Sequence, residues 1–262
     1  MSADKPVAPA SDYDEFVNWE VRLEREAPLF RRLFEEAGVE SVIDVGAGSA
    51  RHSVMFAEWG LAVDGVDPDD SMLARAEQNV AEHAEKIAEA GGELRLARAG
   101  FTELASHGLG EADALVCTGN ALPHVEGHVG LRRTLADFAD VVRSGGVIVL
   151  HLLNHASLLE KRPRAIPPVV RDTKEGTKVF LRVIDYPEGD EYLDFDFVTL
   201  VRTPEGEWVT THRRSAHTAL PAWLLQRELE AAGFERVELL GGHDGHALTD
   251  ADESLIVVAR KR

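Results

Sequence analysis

The sequence holds a single cysteine, Cys117, in 262 residues, and only six lysines beside 22 arginines. One thiol forms no intrachain disulfide, which fits a reducing, cytoplasmic compartment. The scarcity of lysine fits a halophilic or GC-rich source and decides nothing about function. Positive charge is short overall: 28 basic residues face 46 acidic ones, a formal net charge of −18 at pH 7. Such a field repels polyanions, so neither nucleic acid nor an anionic membrane is the expected principal partner. Long apolar runs are missing as well. The strongest, residues 147–153, is interrupted by His151 and is too short to cross a bilayer. Residues 1–11 carry Lys5 and two prolines without an apolar stretch, so the expectation there is a flexible tail and no signal peptide. No repeat or low-complexity tract interrupts the chain. What remains is a soluble chain, 44% hydrophobic, able to build one large α/β domain or one domain plus an insertion.

The most informative stretch is residues 42–67. Val42-Ile43-Asp44-Val45 reads as a buried strand that enters the tight turn Gly46-Ala47-Gly48. A helix carrying Val54, Met55, Phe56 and Trp59 follows and stops at Gly60; a second apolar strand then ends in Asp67. Strand, glycine turn, helix, strand is the first half of a doubly wound nucleotide-binding sheet. The glycines let the backbone turn sharply and let a ligand touch it. Asp67 lies about 20 residues past them, where an acid can accept from both hydroxyls of a ribose. A dinucleotide fingerprint wants a third glycine three residues after the second, and Arg51 stands there instead.

Before this unit, Phe16, Trp19, Leu23, Leu29, Phe30 and Leu33 predict helices broken near Pro28. After it, Asp69-Asp70 caps a helix with Leu73, Ala76, Val80, Ala84 and Ile87 on one face. Further strands are expected over 94–97, 112–117 and 147–153, the alternation implying parallel pairing. Residues 162–168, with three prolines, read as a linker; 178–186, 192–203 and 207–218 read as an antiparallel meander of three strands. Strands over 234–240 and 255–259 end the chain. The fold class expected is α/β: a Rossmann-like doubly wound sheet of seven strands, the last antiparallel, with a small antiparallel β insertion after strand five. The domain reading assigns residues 12–155 and 219–262 to the main domain and 156–218 to an inserted lid or substrate subdomain.

The Asp44-x-Gly46-x-Gly48 turn resembles motif I of the class I S-adenosylmethionine-dependent methyltransferases. The loop Gly119-Asn120-Ala121-Leu122-Pro123-His124 and the insertion after Leu153-Asn154-His155 are similar to the glycine N-methyltransferase branch. The resemblance implies that S-adenosylmethionine is the cofactor. It would set Gly46, Ala47 and Gly48 against the cofactor, Asp67 on the ribose, Met72 on an adenine face and Phe101 beside adenine. Thr118 would approach the methionine part; His124 and Arg22 would approach its carboxylate, a guanidinium fork matching two oxygens. Asn120 and His155 become the substrate candidates. Two positions depart from the branch: Gly100 replaces an adenine-reading Asp or Asn, and no cation stands near Leu153 to grip a glycine carboxylate.

The implied activity is methyl transfer to a nitrogen or oxygen of a small molecule. The rivals are an NAD(P)-dependent oxidoreductase and a non-catalytic S-adenosylmethionine-binding protein. His124 with His128, and His151 with His155, have a spacing that metal pairs use, but no third ligand is evident and no metal is expected. No general base is assigned, and oligomeric state is left open.

Overall fold

The structure, a computed structural model, describes residues 14–173 and 176–262; the expected tail over 1–11 lies outside them. In chain order the elements are α1 (Trp19–Ala37), β1 (Ser41–Val45), α2 (Arg51–Ala57), β2 (Ala62–Asp67), α3 (Asp70–Ala90) and β3 (Glu93–Arg98). Then come β4 (Ala112–Cys117), α4 (Gly127–Val141), β5 (Val142–Leu153) and α5 (His155–Lys161). A second group of strands follows: β6 (Ala165–Thr173), β7 (Gly176–Asp185), β8 (Tyr192–Arg202) and β9 (Trp208–Thr218). Last are α6 (Ala222–Ala231), β10 (Phe234–Leu240) and β11 (Ser254–Lys261).

Seven strands form one sheet in the order β10-β11-β5-β4-β1-β2-β3. Neighbours from β5 to β3 run parallel, while β11 is antiparallel to both β5 and β10. The last strand is antiparallel, as expected from the sequence, and lies between β5 and β10 rather than at an edge. Successive residues serve opposite faces. Val42, Val63, Val116 and Val149 pack with Phe30, Phe34 and Phe56 on one side. Ile43, Leu115, Ile148 and Val257 pack with Leu131, Leu135 and Phe138 on the other. Burial on both faces is why these strands read as unbroken apolar runs.

The helix boundaries follow local chemistry. Asp69 caps α3 by accepting from the N–H groups of Ser71 (2.8 Å) and Met72 (3.2 Å), and Gly91 ends it in the left-handed region at φ 73°. One expectation fails here: α1 runs unbroken through Pro28. An interior proline costs roughly 3 kcal/mol or more, but Leu29, Phe30, Leu33 and Phe34 are all buried just beyond it. At about 1.5–3 kcal/mol each, that burial outweighs the lost hydrogen bond.

The inserted segment forms a separate antiparallel sheet in the order β6-β7-β8-β9. It has four strands, not three, because β6 begins inside the proline-rich stretch taken for a linker and runs on to Thr173. Pro167 and Pro168 sit where its register shifts between Ile166 and Val169. An edge strand with a bulge is where a residue without an N–H is tolerated. No helix among the described residues is long and apolar enough to cross a membrane.

Candidate active site

The carboxyl ends of β1, β2, β4 and β5 gather the chemistry. At the β1 turn, Gly46 and Gly48 adopt φ values of 70° and 55°. The N–H groups of Gly46 and Ala47 donate to the Val66 carbonyl (2.9 and 3.0 Å), fastening the turn to β2. Asp67 closes β2 with its carboxylate spanning two backbone donors, Gly48 (2.9 Å to Oδ2) and Asp69 (2.9 Å to Oδ1). Burial pushes its carboxyl above the usual range, against those two hydrogen bonds. Asp44, fully buried, is raised by the same cause and accepts from Ser53 Oγ at 2.6 Å. A Cβ on Gly46 would stand 2.8 Å from the Ala121 Cβ, in a backbone conformation that L residues avoid. Gly46→Ala is therefore expected to lower stability by about 1–3 kcal/mol. Gly48→Ala, where nothing lies within 4 Å, should lose less. Equal urea midpoints for the two variants would contradict this.

Below the turn lies a buried polar network. Glu26 of α1, with no solvent exposure, accepts from Arg22 Nε (2.9 Å) and pairs with His52 Nε2 (2.7 Å). Thr118 Oγ1 lies 3.3 Å from the other ring nitrogen of His52, so α1, α2 and the end of β4 are tied together. Burial works against ionisation of Glu26, but His52 and then Arg22 hold its carboxyl well below the usual range. His151 and His243 adjoin it, with ring nitrogens within 4.8 Å of the carboxylate and of each other. Burial pushes these two down to about 3 and about 4, so both are neutral at pH 7. The Glu26 oxygens are already committed to Arg22 and His52, which accounts for the buried charge without a metal. Asp14 fastens a second set: Ser49 Oγ at 2.5 Å, Arg75 Nε at 2.9 Å and Arg51 at 3.4 Å.

The small sheet lies against the loop after β4. Asn120 sits in the left-handed region at φ 65°. Its Oδ1 accepts from the Leu153 N–H (3.0 Å), and its Nδ2 donates to His217 Nδ1 (3.3 Å). The His124 ring meets the His217 ring edge-on at 4.5 Å, and its Nδ1 lies 3.5 Å from Ser215 Oγ. Thr218 bridges the two parts by donating to the Val125 carbonyl and accepting from the Gly127 N–H. His217 is 2% exposed, and burial drives it down to about 2. His124 is lowered also, by desolvation and then by the charge of Arg213.

Residues 42–146 match the family model for a methyltransferase domain. The match covers less than half of the chain and likens that stretch to a methyltransferase domain. A glycine/sarcosine N-methyltransferase of Parasynechococcus marenigrum (strain WH8102) is 34% identical over 148 residues, covering 56% of this chain and 50% of that protein. A glycine/sarcosine/dimethylglycine N-methyltransferase of Actinopolyspora halophila is 32% identical over 148 residues, 56% of this chain and 25% of that one. The chain thus spans half or less of the length of these two relatives. Among solved structures, an S-adenosylmethionine-dependent methyltransferase from Clostridium acetobutylicum ATCC 824 superposes with a TM-score of 0.78. It shares 13% identity, with 96% of this chain and 97% of that one covered. The sugar N-methyltransferase KedS8 from Streptoalloteichus sp ATCC 53650 gives 0.75 at 19% identity, over 100% and 95%.

Within the matched stretch, Gly46, Ala47, Gly48, Asp67 and Thr118 stand together at the sheet's carboxyl edge. Met72 is partly buried in the first turn of α3, and Phe101, also partly buried, meets Phe138 edge-on at 6.0 Å. Arg22 lies close by but engages Glu26 and stacks over Trp19 at 5.1 Å. His124 and Asn120 face the small sheet. His155 is not brought to any surface: it is fully buried, its Nδ1 accepts from the Leu220 N–H at 2.9 Å, and burial lowers it to about 4. The sequence reading missed the Glu26–His52 pair, His217 and Arg213. For the last two a signal was available, since Arg213, Ser215 and His217 alternate along one strand and so share a face.

Proposed function

We propose that the protein is an S-adenosylmethionine-dependent methyltransferase that methylates a nitrogen of a small-molecule acceptor. The observation that carries this reading is the Asp67 carboxylate. It is buried at the end of β2 and fastened to the Gly48 and Asp69 amides, yet retains an unused lone pair on each oxygen for two vicinal hydroxyls. In the turn beside it, nothing lies within 4 Å of where a Cβ on Gly48 would stand, so the space over that glycine is open. The curated relatives named above are N-methyltransferases acting on glycine and its methylated forms, and KedS8 is a sugar N-methyltransferase.

When bound, the sulfonium cofactor supplies an electrophilic methyl group, so the protein's own task is orientation and exclusion of water. Orientation alone is worth roughly 7–11 kcal/mol. Asp67 would fix the sugar, residues 46–48 the backbone side, and Thr118 the methionine part. The inserted segment over residues 156–218, with its small sheet, serves in this reading as a lid above the acceptor. His124 and His217, both held neutral at pH 7 by burial, add no positive charge beside a cationic donor. The lone buried thiol, Cys117, agrees with action in the cytoplasm.

Calorimetry with S-adenosylmethionine and with NADH tests the reading. Binding of the sulfonium donor alone is expected; binding of NADH alone would replace the methyltransferase by an oxidoreductase.

A further inference from the structure

The inner face of the small sheet carries a cation without an acid. Arg213, Ser215 and His217 alternate along β9, and in register across β8 lie Phe197, Phe195 and Leu193. His217 and Ser215 touch His124 and Asn120 of the loop after β4, so this face looks onto the carboxyl edge of the main sheet. Arg213 stacks its guanidinium over Phe197 at 4.8 Å. It is only partly exposed, its Nε is buried without a hydrogen-bond partner, and among the described residues no carboxylate lies within 4.0 Å of it. Asp69, the cap residue just past β2, is close enough for the two charges to attract, but it makes no ion pair with Arg213, and its Oδ1 caps α3.

The next residue makes the contrast. Arg214, on the outer face, is held by three carboxylates, Asp185 (3.2 Å), Asp194 (2.9 Å) and Asp196 (3.4 Å). In a chain with 46 acidic residues, one arginine of the pair is saturated and the other is left open. Half-buried charge without a partner is costly, and a fork of N–H donors is what recognises a carboxylate or phosphate. A second open donor lies on the same face. Asn120 Nδ2 donates to His217 Nδ1, so neutral His217 carries its proton on Nε2, a buried atom that also lacks a partner. The charge of Arg213 also answers, locally, the repulsion that a net charge of −18 imposes on any anion.

We infer that Arg213, with His217 beside it, binds an anionic group of the acceptor, making the substrate a small amine that carries a carboxylate or a phosphate. This rests on the methyltransferase reading and names its substrate class.

The test uses the whole chain. Binding of S-adenosylhomocysteine is first measured by calorimetry; its absence would overturn the methyltransferase reading itself. Methyl transfer is then measured on matched pairs: glycine with glycinamide, β-alanine with its amide, and phosphoethanolamine with ethanolamine. At least tenfold higher kcat/KM is expected for the anionic member of one or more pairs, and which pair responds separates carboxylate from phosphate. Arg213→Met should shrink that preference to within threefold, through KM, with the Kd for S-adenosylhomocysteine changed less than threefold. Arg213→Lys should keep part of the preference and covers the case in which the Met variant fails to fold. Equal turnover of neutral and anionic members overturns the inference, as does no turnover of any pair by protein that binds S-adenosylhomocysteine. A tenfold loss of S-adenosylhomocysteine affinity in Arg213→Met also overturns it, because the guanidinium then serves the cofactor.

Discussion

Asp67→Ala is expected to weaken S-adenosylmethionine binding at least tenfold while changing folding stability by no more than about 1 kcal/mol. The two effects separate for a physical reason. Hydrogen bonds to a charged carboxylate contribute roughly 1.5–3 kcal/mol each, and every 1.4 kcal/mol is about tenfold in affinity. Two ribose contacts therefore leave ample room for the predicted loss. For folding the balance is different. Burial raises the Asp67 pKa above its ordinary value, so the ionised form is disfavoured in the folded state. A carboxyl whose folded pKa exceeds its unfolded one weakens the fold at every pH above the unfolded value, and the effect vanishes as acid protonates it. Removing that charge offsets the loss of the two backbone contacts, from Gly48 and Asp69. Isothermal calorimetry and urea unfolding at pH 7 measure the two quantities. Unchanged donor affinity would remove Asp67 from the site, and a collapse in stability would make it a structural residue instead.

Asp67 was legible from sequence because everything that defines it is local: a glycine turn, a short helix and a strand of apolar residues bring one acid to a known distance in the chain. The same locality made the parallel core, the α3 cap and the last two strands readable. Burial of both sheet faces produced continuous apolar runs that few other arrangements generate. The failures have the opposite character. Pro28 breaks a helix by every local rule, yet α1 continues because Phe30 and Phe34 pack on Phe56, about two dozen residues away. Residues 162–168 looked like a linker because β6, whose first residues include Pro167 and Pro168, is an edge strand with a bulge and has no periodicity to see. The place of β11 between β5 and β10 is a pairing choice that its own residues do not encode. In the candidate site, the β1 turn and Asp67 could be read, whereas Arg213 and His217 come from residues about 90 positions past the loop they face. Only a folded sheet brings them to it.

The Glu26 pair lies at the far end of this scale, since nothing in the sequence links residue 26 to residue 52, and its loss should cost the most stability. Glu26→Ala removes a carboxylate with no solvent exposure that sits 2.9 Å from Arg22 Nε and 2.7 Å from His52 Nε2. Arg25 and His243 also lie within 4.0 Å of it. Breaking a buried pair from one side leaves the other charge desolvated, and the usual cost is about 3–5 kcal/mol, several times that of an exposed ion pair. A fall of that size in urea-unfolding free energy is expected. Glu26→Gln, which keeps a hydrogen-bonding oxygen but loses the charge, should fall between the variant and the parent. A double-mutant cycle with His52→Ala separates the pair from its surroundings, because residues in direct contact couple by about 0.5–3 kcal/mol. The mutation should act on activity only through folding, so at low temperature the folded variant should keep its affinity for S-adenosylmethionine within a few fold. If stability is lost by less than about 1 kcal/mol, the network is not what joins α1 to the β1 turn. If donor affinity falls while stability holds, Glu26 orients Arg22 toward the cofactor, and the pair belongs to the binding site.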